Sequence, residues 1–150
     1  MISALAVFTL LLQGCSFVNE LLLVNASSDT IVVRWRHGSK SDVQNSARPI
    51  CYKASVMNDD VEVSGDTAKF YCRKEGDSLW YAEVPPNSAL VLGSDLNQDL
   101  AKNEIRDRFV GELEHLSILS PNDAAFQCSG KGCSPSFRSV RKARAVMIYR

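Results

Sequence analysis

Ile31, Val33 and Trp35 alternate with Arg34 and Arg36, a period of two that suits an extended strand with one face in a core and that a helix cannot use. The alternation returns at Ile50, Tyr52, Ala54 and Val56, set against Cys51, Lys53 and Ser55. Each apolar run is short and closes on turn-forming residues, so the chain is confined to many brief strands rather than a few long helices.

Taken in order, Glu20–Val24 and Thr30–Arg36 flank Asn25-Ala26-Ser27-Ser28-Asp29 and read as a hairpin. A turn at Asn58-Asp59-Asp60 follows, then Ala68–Arg73 and Leu79–Val84 bracket Glu75-Gly76-Asp77 as a second hairpin. Pro85 and Pro86 remove two backbone donors and end that strand before the apolar run Ser88–Gly93. One helix is expected, capped by Ser94 or Asp95, carrying Leu96, Leu100 and Ile105 on one side and running to Arg108. Beyond it Phe109–Ser120 fits strand or helix; Leu116–Leu119 before Ser120-Pro121-Asn122-Asp123 favours a strand and turn. Ala124–Cys128 pairs back, and Ala143–Tyr149 closes the domain. About eight or nine short strands with one inserted helix specify a mainly β fold, a two-sheet β-sandwich of immunoglobulin-like or similar kind.

The chain opens differently. Met1 to Leu12 is an uncharged apolar run, ending at Gln13-Gly14-Cys15, and it is too short for a bilayer-spanning helix of about 20 residues. Leu12-Gln13-Gly14-Cys15 resembles the lipobox of the bacterial lipoproteins, preceded by their signal peptide. The resemblance implies cleavage before Cys15 and acylation of its thiol. It divides the chain into a signal peptide over 1–14, a lipidated tether over 15–19 and one β-rich domain over 20–150. Ser16 after the lipidated cysteine implies an outer-membrane address, with the domain in the cell envelope facing periplasm or cell surface.

Five cysteines are present, and giving Cys15 to the lipid leaves Cys51, Cys72, Cys128 and Cys133, an even number as an exported protein requires. Of three connectivities, proximity favours Cys51 with Cys72 and Cys128 with Cys133, the latter around Ser129-Gly130-Lys131-Gly132. Zinc would need paired Cys-x₂₋₄-Cys spacing that Cys51 and Cys72 lack, and neither His37 nor His115 lies near a cysteine. No metal or other cofactor is expected.

Lys plus Arg and Asp plus Glu number 17 each, so net charge gives no reason to invoke nucleic acid. Their distribution is uneven. From Ala124 onward there is no acid, while Lys131, Arg138, Arg141, Lys142, Arg144 and Arg150 are basic; Asp59–Glu83 and Asp95–Asp123 are acidic. Basic strands lying beside acidic ones are the simplest account. The rival is a binding surface of Arg138, Arg141, Lys142 and Arg144 facing anionic lipid or an acidic partner. Tyr71 and Trp80, should they face outward together, would add an aromatic patch.

Catalytic patterns are absent: there is no Gly-x-Ser-x-Gly, His-Glu-x-x-His or glycine loop for phosphate. His115 beside Glu112 and Glu114 reads as a solvated strand residue rather than a general base, and Asp59-Asp60 as a turn rather than a calcium loop. The expected function is a non-enzymatic, membrane-anchored adaptor for an envelope protein partner, of secretion, conjugation or receptor-masking type. The alternative is a small envelope enzyme or inhibitor.

Overall fold

The apolar runs become eleven strands across the residues that the computed structural model describes, 18–38, 49–96, 98–140 and 144–150. In chain order these are β1 (Val18–Asn25), β2 (Ile31–His37), β3 (Cys51–Met57), β4 (Asp60–Thr67), β5 (Tyr71–Glu75), β6 (Leu79–Val84) and β7 (Ser88–Leu96). Helix α1 (Asn103–Gly111), β8 (Leu113–Leu119), β9 (Phe126–Cys128), a 3₁₀ helix (Gly130–Ser136), β10 (Arg138–Val140) and β11 (Arg144–Tyr149) complete the order. Two sheets form a β-sandwich: six strands ordered β10-β11-β1-β7-β3-β4, and five ordered β5-β6-β2-β8-β9.

The main core lies between the sheets. Leu21, Leu23 and Leu90 of the six-stranded sheet meet Ile31, Val33, Trp35, Leu116 and Ile118 of the other, each such side chain contributing about 1.5–3 kcal/mol on burial. Trp35 also stacks on Trp80, their ring centroids 6.2 Å apart. The indole Nε1–H of Trp35 and Nε2–H of His37 both donate to the Leu92 carbonyl, at 3.0 and 2.6 Å, so two residues of β2 fasten to one backbone group of β7.

A second core covers the other face of the six-stranded sheet. Leu22, Val24, Ala54, Ala89, Val91 and Val146 are buried there, with Val61, Val63, Val140 and Ile148 packed against them. Successive residues of β1 therefore serve different cores, which is why Leu21-Leu22-Leu23-Val24 has no polar alternation.

Several local expectations change. Glu20–Val24 and Thr30–Arg36 do not form a hairpin: β1 and β2 lie in different sheets. The buried Asn25 side chain turns the chain between them, donating to the carbonyls of Asp29 (2.8 Å) and Val84 (2.9 Å) and accepting from Ser27. Val18 and Asn19, placed in the tether, open β1; Asn19 is buried and exchanges two hydrogen bonds with the Gln98 backbone. Ser94, Asp95 and Leu96 end β7 rather than start a helix, because Asp95, Ser94 and Gly93 pair with Asn19, Glu20 and Leu21. The helix begins later, at Asn103, after Asp99 organises the turn before it by accepting from the backbones of Ala101 and Lys102. Asp60, expected in a turn, and Val61–Thr67, given no element from the sequence, form the paired strand β4.

Of the two expected disulfides, Cys128–Cys133 is formed, tying β9 to the 3₁₀ helix. The other is not: Cys51 and Cys72 are free thiols. They stand on β3 and β5, in opposite sheets. Cys51 is buried with its sulfur beside the Ser88 hydroxyl, and burial pushes its thiol pKa up to about 11, the Ser88 hydrogen bond pulling the other way. Nearness in sequence misled because the β4–β5 connection crosses from one sheet to the other.

Candidate binding surfaces

The residues proposed from sequence as one binding surface fall in two places. Tyr71 is on the outer face of the five-stranded sheet; Arg138 and Arg144 border a groove on the six-stranded one. Trp80 faces inward onto Trp35, so it makes no patch with Tyr71. Cys15, Arg141 and Lys142 lie outside the described residues.

On the five-stranded sheet, strand register sets one residue from each strand in a row: Arg73, Tyr81, Arg34, Ser117 and Gln127. The guanidinium groups of Arg73 and Arg34 approach the Tyr81 ring from the strands on either side, 4.4 and 5.7 Å from its centroid. Glu75 pairs with Arg73 at 2.7 Å and with Arg34 at 3.8 Å. Tyr71 packs edge-on against Tyr81, and Glu83 accepts from the Tyr81 hydroxyl. Arg36 pairs with Glu114, and His115 with Ser117. Some of these contacts run across strands and others, Arg73–Glu75, Tyr81–Glu83 and His115–Ser117, along one strand; together they stabilise a solvated face. The aromatic missed from sequence is Tyr81, whose signal was its alternation with the inward Trp80.

The six-stranded sheet offers more. The β3–β4 hairpin turns on Asn58 and Asp59, both with positive φ (48° and 69°), the two-residue type I′ geometry that matches strand twist. Its tip reaches across the same sheet to the end of β11, beside the far edge strand β10, where Asp59 accepts from the Arg150 guanidinium. Between hairpin and far edge lies a groove of about 1070 Å³. Val18, Met57, Val61, Val63 and Val140 supply its apolar surface, and Val18 and Met57 are among the most exposed large apolar residues described.

Strand register dictates part of its electrostatics. Glu20 lies directly opposite Arg144 in the parallel β1–β11 pairing, and they form an ion pair at 3.0 Å. Arg138 stands near Asp59, whose carboxyl is held below the usual carboxylate range first by the Arg150 hydrogen bond and then by Arg150's charge. Two bases of the acid-free end, Arg144 and Arg150, thus pair with acids from earlier in the chain, Glu20 and Asp59. Asp60 and Glu62 on β4 have no ion-pair partner among the described residues.

The groove's two long walls are β4 and β10, and each is an edge strand among the described residues. Lining residues run consecutively along both, Asp60 to Val63 and Arg138 to Val140. A strand showing one face to a cavity would contribute alternate residues; a strand showing its edge contributes them in sequence.

Asn25, the asparagine of the sequon Asn25-Ala26-Ser27, is buried and hydrogen-bonded, so it is no glycosylation site in the folded chain. His37 is buried, and burial lowers its pKa against opposing effects of the Leu92 carbonyl and Glu112. Among the described residues no three of His, Cys, Asp and Glu converge as metal ligands, and no helix is long and apolar enough to cross a membrane. No protein-family model matches the chain, and no curated protein or solved structure is significantly similar to it.

Proposed function

We propose that the protein is a lipid-anchored adaptor of the bacterial cell envelope, a non-enzymatic module whose β-sandwich binds a second envelope protein beside the membrane. The observation that carries the reading is the spacing between the lipobox and the fold. Cys15 precedes Val18 by three residues, and Val18 both opens β1 and borders the groove. A diacylglyceryl group on Cys15 would hold that groove within about 10 Å of chain from the lipid, at the reach of about 3.3–3.6 Å per extended residue. Two acyl chains suffice for stable anchoring, and an outer-membrane address follows from Ser16.

Replacing Cys15 by Ser tests the anchor. The expected result is release of the domain from the membrane fraction and loss of labelled palmitate; unchanged partitioning overturns it. Pull-down of the lipidated protein from native membranes tests the adaptor role: a stoichiometric protein complex supports it, whereas turnover of a cell-wall substrate by the purified protein overturns it.

A further inference from the structure

We infer that the free edge of β4 is a docking strand, on which the partner adds an extended segment carrying basic and apolar residues in alternation. This rests on the adaptor reading and supplies its contact. Antiparallel pairing decides which backbone groups are free. Next to a two-residue type I′ turn, Met57 and Asp60 form a hydrogen-bonded pair. The pattern then alternates, so Ser55 and Glu62 exchange hydrogen bonds, whereas Val61 and Val63, opposite Val56 and Ala54, do not. The N–H and C=O groups of Val61 and Val63 therefore point away from β3, along the edge that borders the groove.

An added strand meets three needs there. It satisfies those groups, as strand addition does at any open edge. Its alternate apolar residues extend the second core, against which Val61 and Val63 already pack. The groove, at about 1070 Å³, holds roughly seven residues of extended chain at sheet spacings of about 3.3 by 4.8 by 10 Å.

Charge selects the occupant. Asp60 and Glu62 on the β4 wall have no ion-pair partner among the described residues and Asp66 lies further along β4, against the single Arg138 on the β10 wall that likewise has none. A second copy pairing through its own β4 would set these acids against each other, which cross-strand pairing penalises. A strand bearing lysine or arginine is attracted by them.

The probe is an acetylated, amidated peptide of about seven residues in which valine alternates with lysine and threonine, titrated into the full mature protein in detergent. Binding should slow amide exchange at Val61 and Val63. A glutamate version of the peptide should bind at least about tenfold more weakly. Val63→Pro removes an outward donor without touching the β3 ladder and should weaken binding by at least about tenfold. Should that variant fail to fold, Glu62→Lys with Asp66→Lys carries the test, and must weaken the lysine peptide. Equal binding of both peptides, no binding, indifference to these variants, or β4 protection by self-association without peptide each overturns the inference. None of these readouts depends on Cys15, so failure here leaves the anchor standing, and loss of the anchor leaves this test intact.

Discussion

Asp59, at the tip of the β3–β4 hairpin, accepts a hydrogen bond from Arg150, 91 residues further along the chain. The contact joins β4's turn, at one edge of the sheet, to the residue after β11, the strand next to the other edge strand β10, across the groove between the edges that are unpaired among the described residues. A six-stranded sheet tied together in this way curls toward itself, leaving the groove between β4 and β10.

Because both side chains are about three-fifths exposed, the pair sets hairpin position rather than global stability. Arg150→Ala should leave the melting temperature almost unchanged and speed amide exchange over residues 57–63. Asp59 has a depressed pKa, so its contribution is complete above the ordinary carboxylate range and fades as pH falls through the lowered value. The native hairpin should therefore loosen below about pH 4, and the Arg150→Ala hairpin should show no such step. Equal protection factors in both proteins at all pH values would show that the contact pins nothing.

Burial of both faces of β1 makes a prediction that a one-core sandwich would not. Leu22 and Leu23 point to opposite cores and are both fully buried. Leu22→Ala and Leu23→Ala should each cost about 2–5 kcal/mol in chemical denaturation. A cost for Leu22→Ala below about 1 kcal/mol would mean its face is solvated, since only exposed sites are so tolerant.

The strands legible in the sequence were those with an apolar alternation, such as Ile31-Val32-Val33-Arg34-Trp35, or a glycine turn, such as Gly76 between β5 and β6. Sheet membership was not legible, because Asn25 can close a hairpin or a crossing between sheets with the same residues. The candidate site was harder still. Its central strand, Asp60-Val61-Glu62-Val63-Ser64-Gly65-Asp66-Thr67, is rich in residues that strands disfavour. As an edge strand it needs only Val61 and Val63 for the core. Its signal was the Asn58-Asp59 turn followed by valine at every second position. The groove is assembled from β1, β3, β4, β10 and β11, segments far apart in sequence, so no local motif could announce it.

The cysteines respond to their separate environments. Non-reducing peptide mapping should recover Cys128 linked to Cys133, with Cys51 and Cys72 unlinked. Opening the short Cys128–Cys133 loop by paired serine substitution should cost about 2 kcal/mol on the loop-entropy account. Iodoacetamide at neutral pH should alkylate the half-buried Cys72 and spare Cys51, whose thiol is buried with a pKa near 11. A recovered Cys51–Cys72 peptide would contradict this arrangement.

His37 should make stability sensitive to acid. Its Nε2 donates to the Leu92 carbonyl, so the neutral ring places its lone pair on Nδ1, which is buried without a hydrogen-bond partner among the described residues. Protonation would put charge at that site, and burial lowers the pKa although Glu112 and the Leu92 contact favour the cation. The unfolded chain, with an ordinary imidazole pKa of about 6.5, binds the proton first. Stability is therefore complete above that pH and falls as pH drops from about 6.5 toward the lowered native value. His37→Gln keeps an N–H donor for Leu92 but cannot titrate, so its stability should be level over the same interval. His37→Ala should lose about 1–3 kcal/mol at pH 7, chiefly through the abandoned hydrogen bond and space. A native protein whose unfolding free energy does not change between pH 7 and about 5 would mean that His37 charges freely, and that its ring is not held as a neutral donor between the sheets.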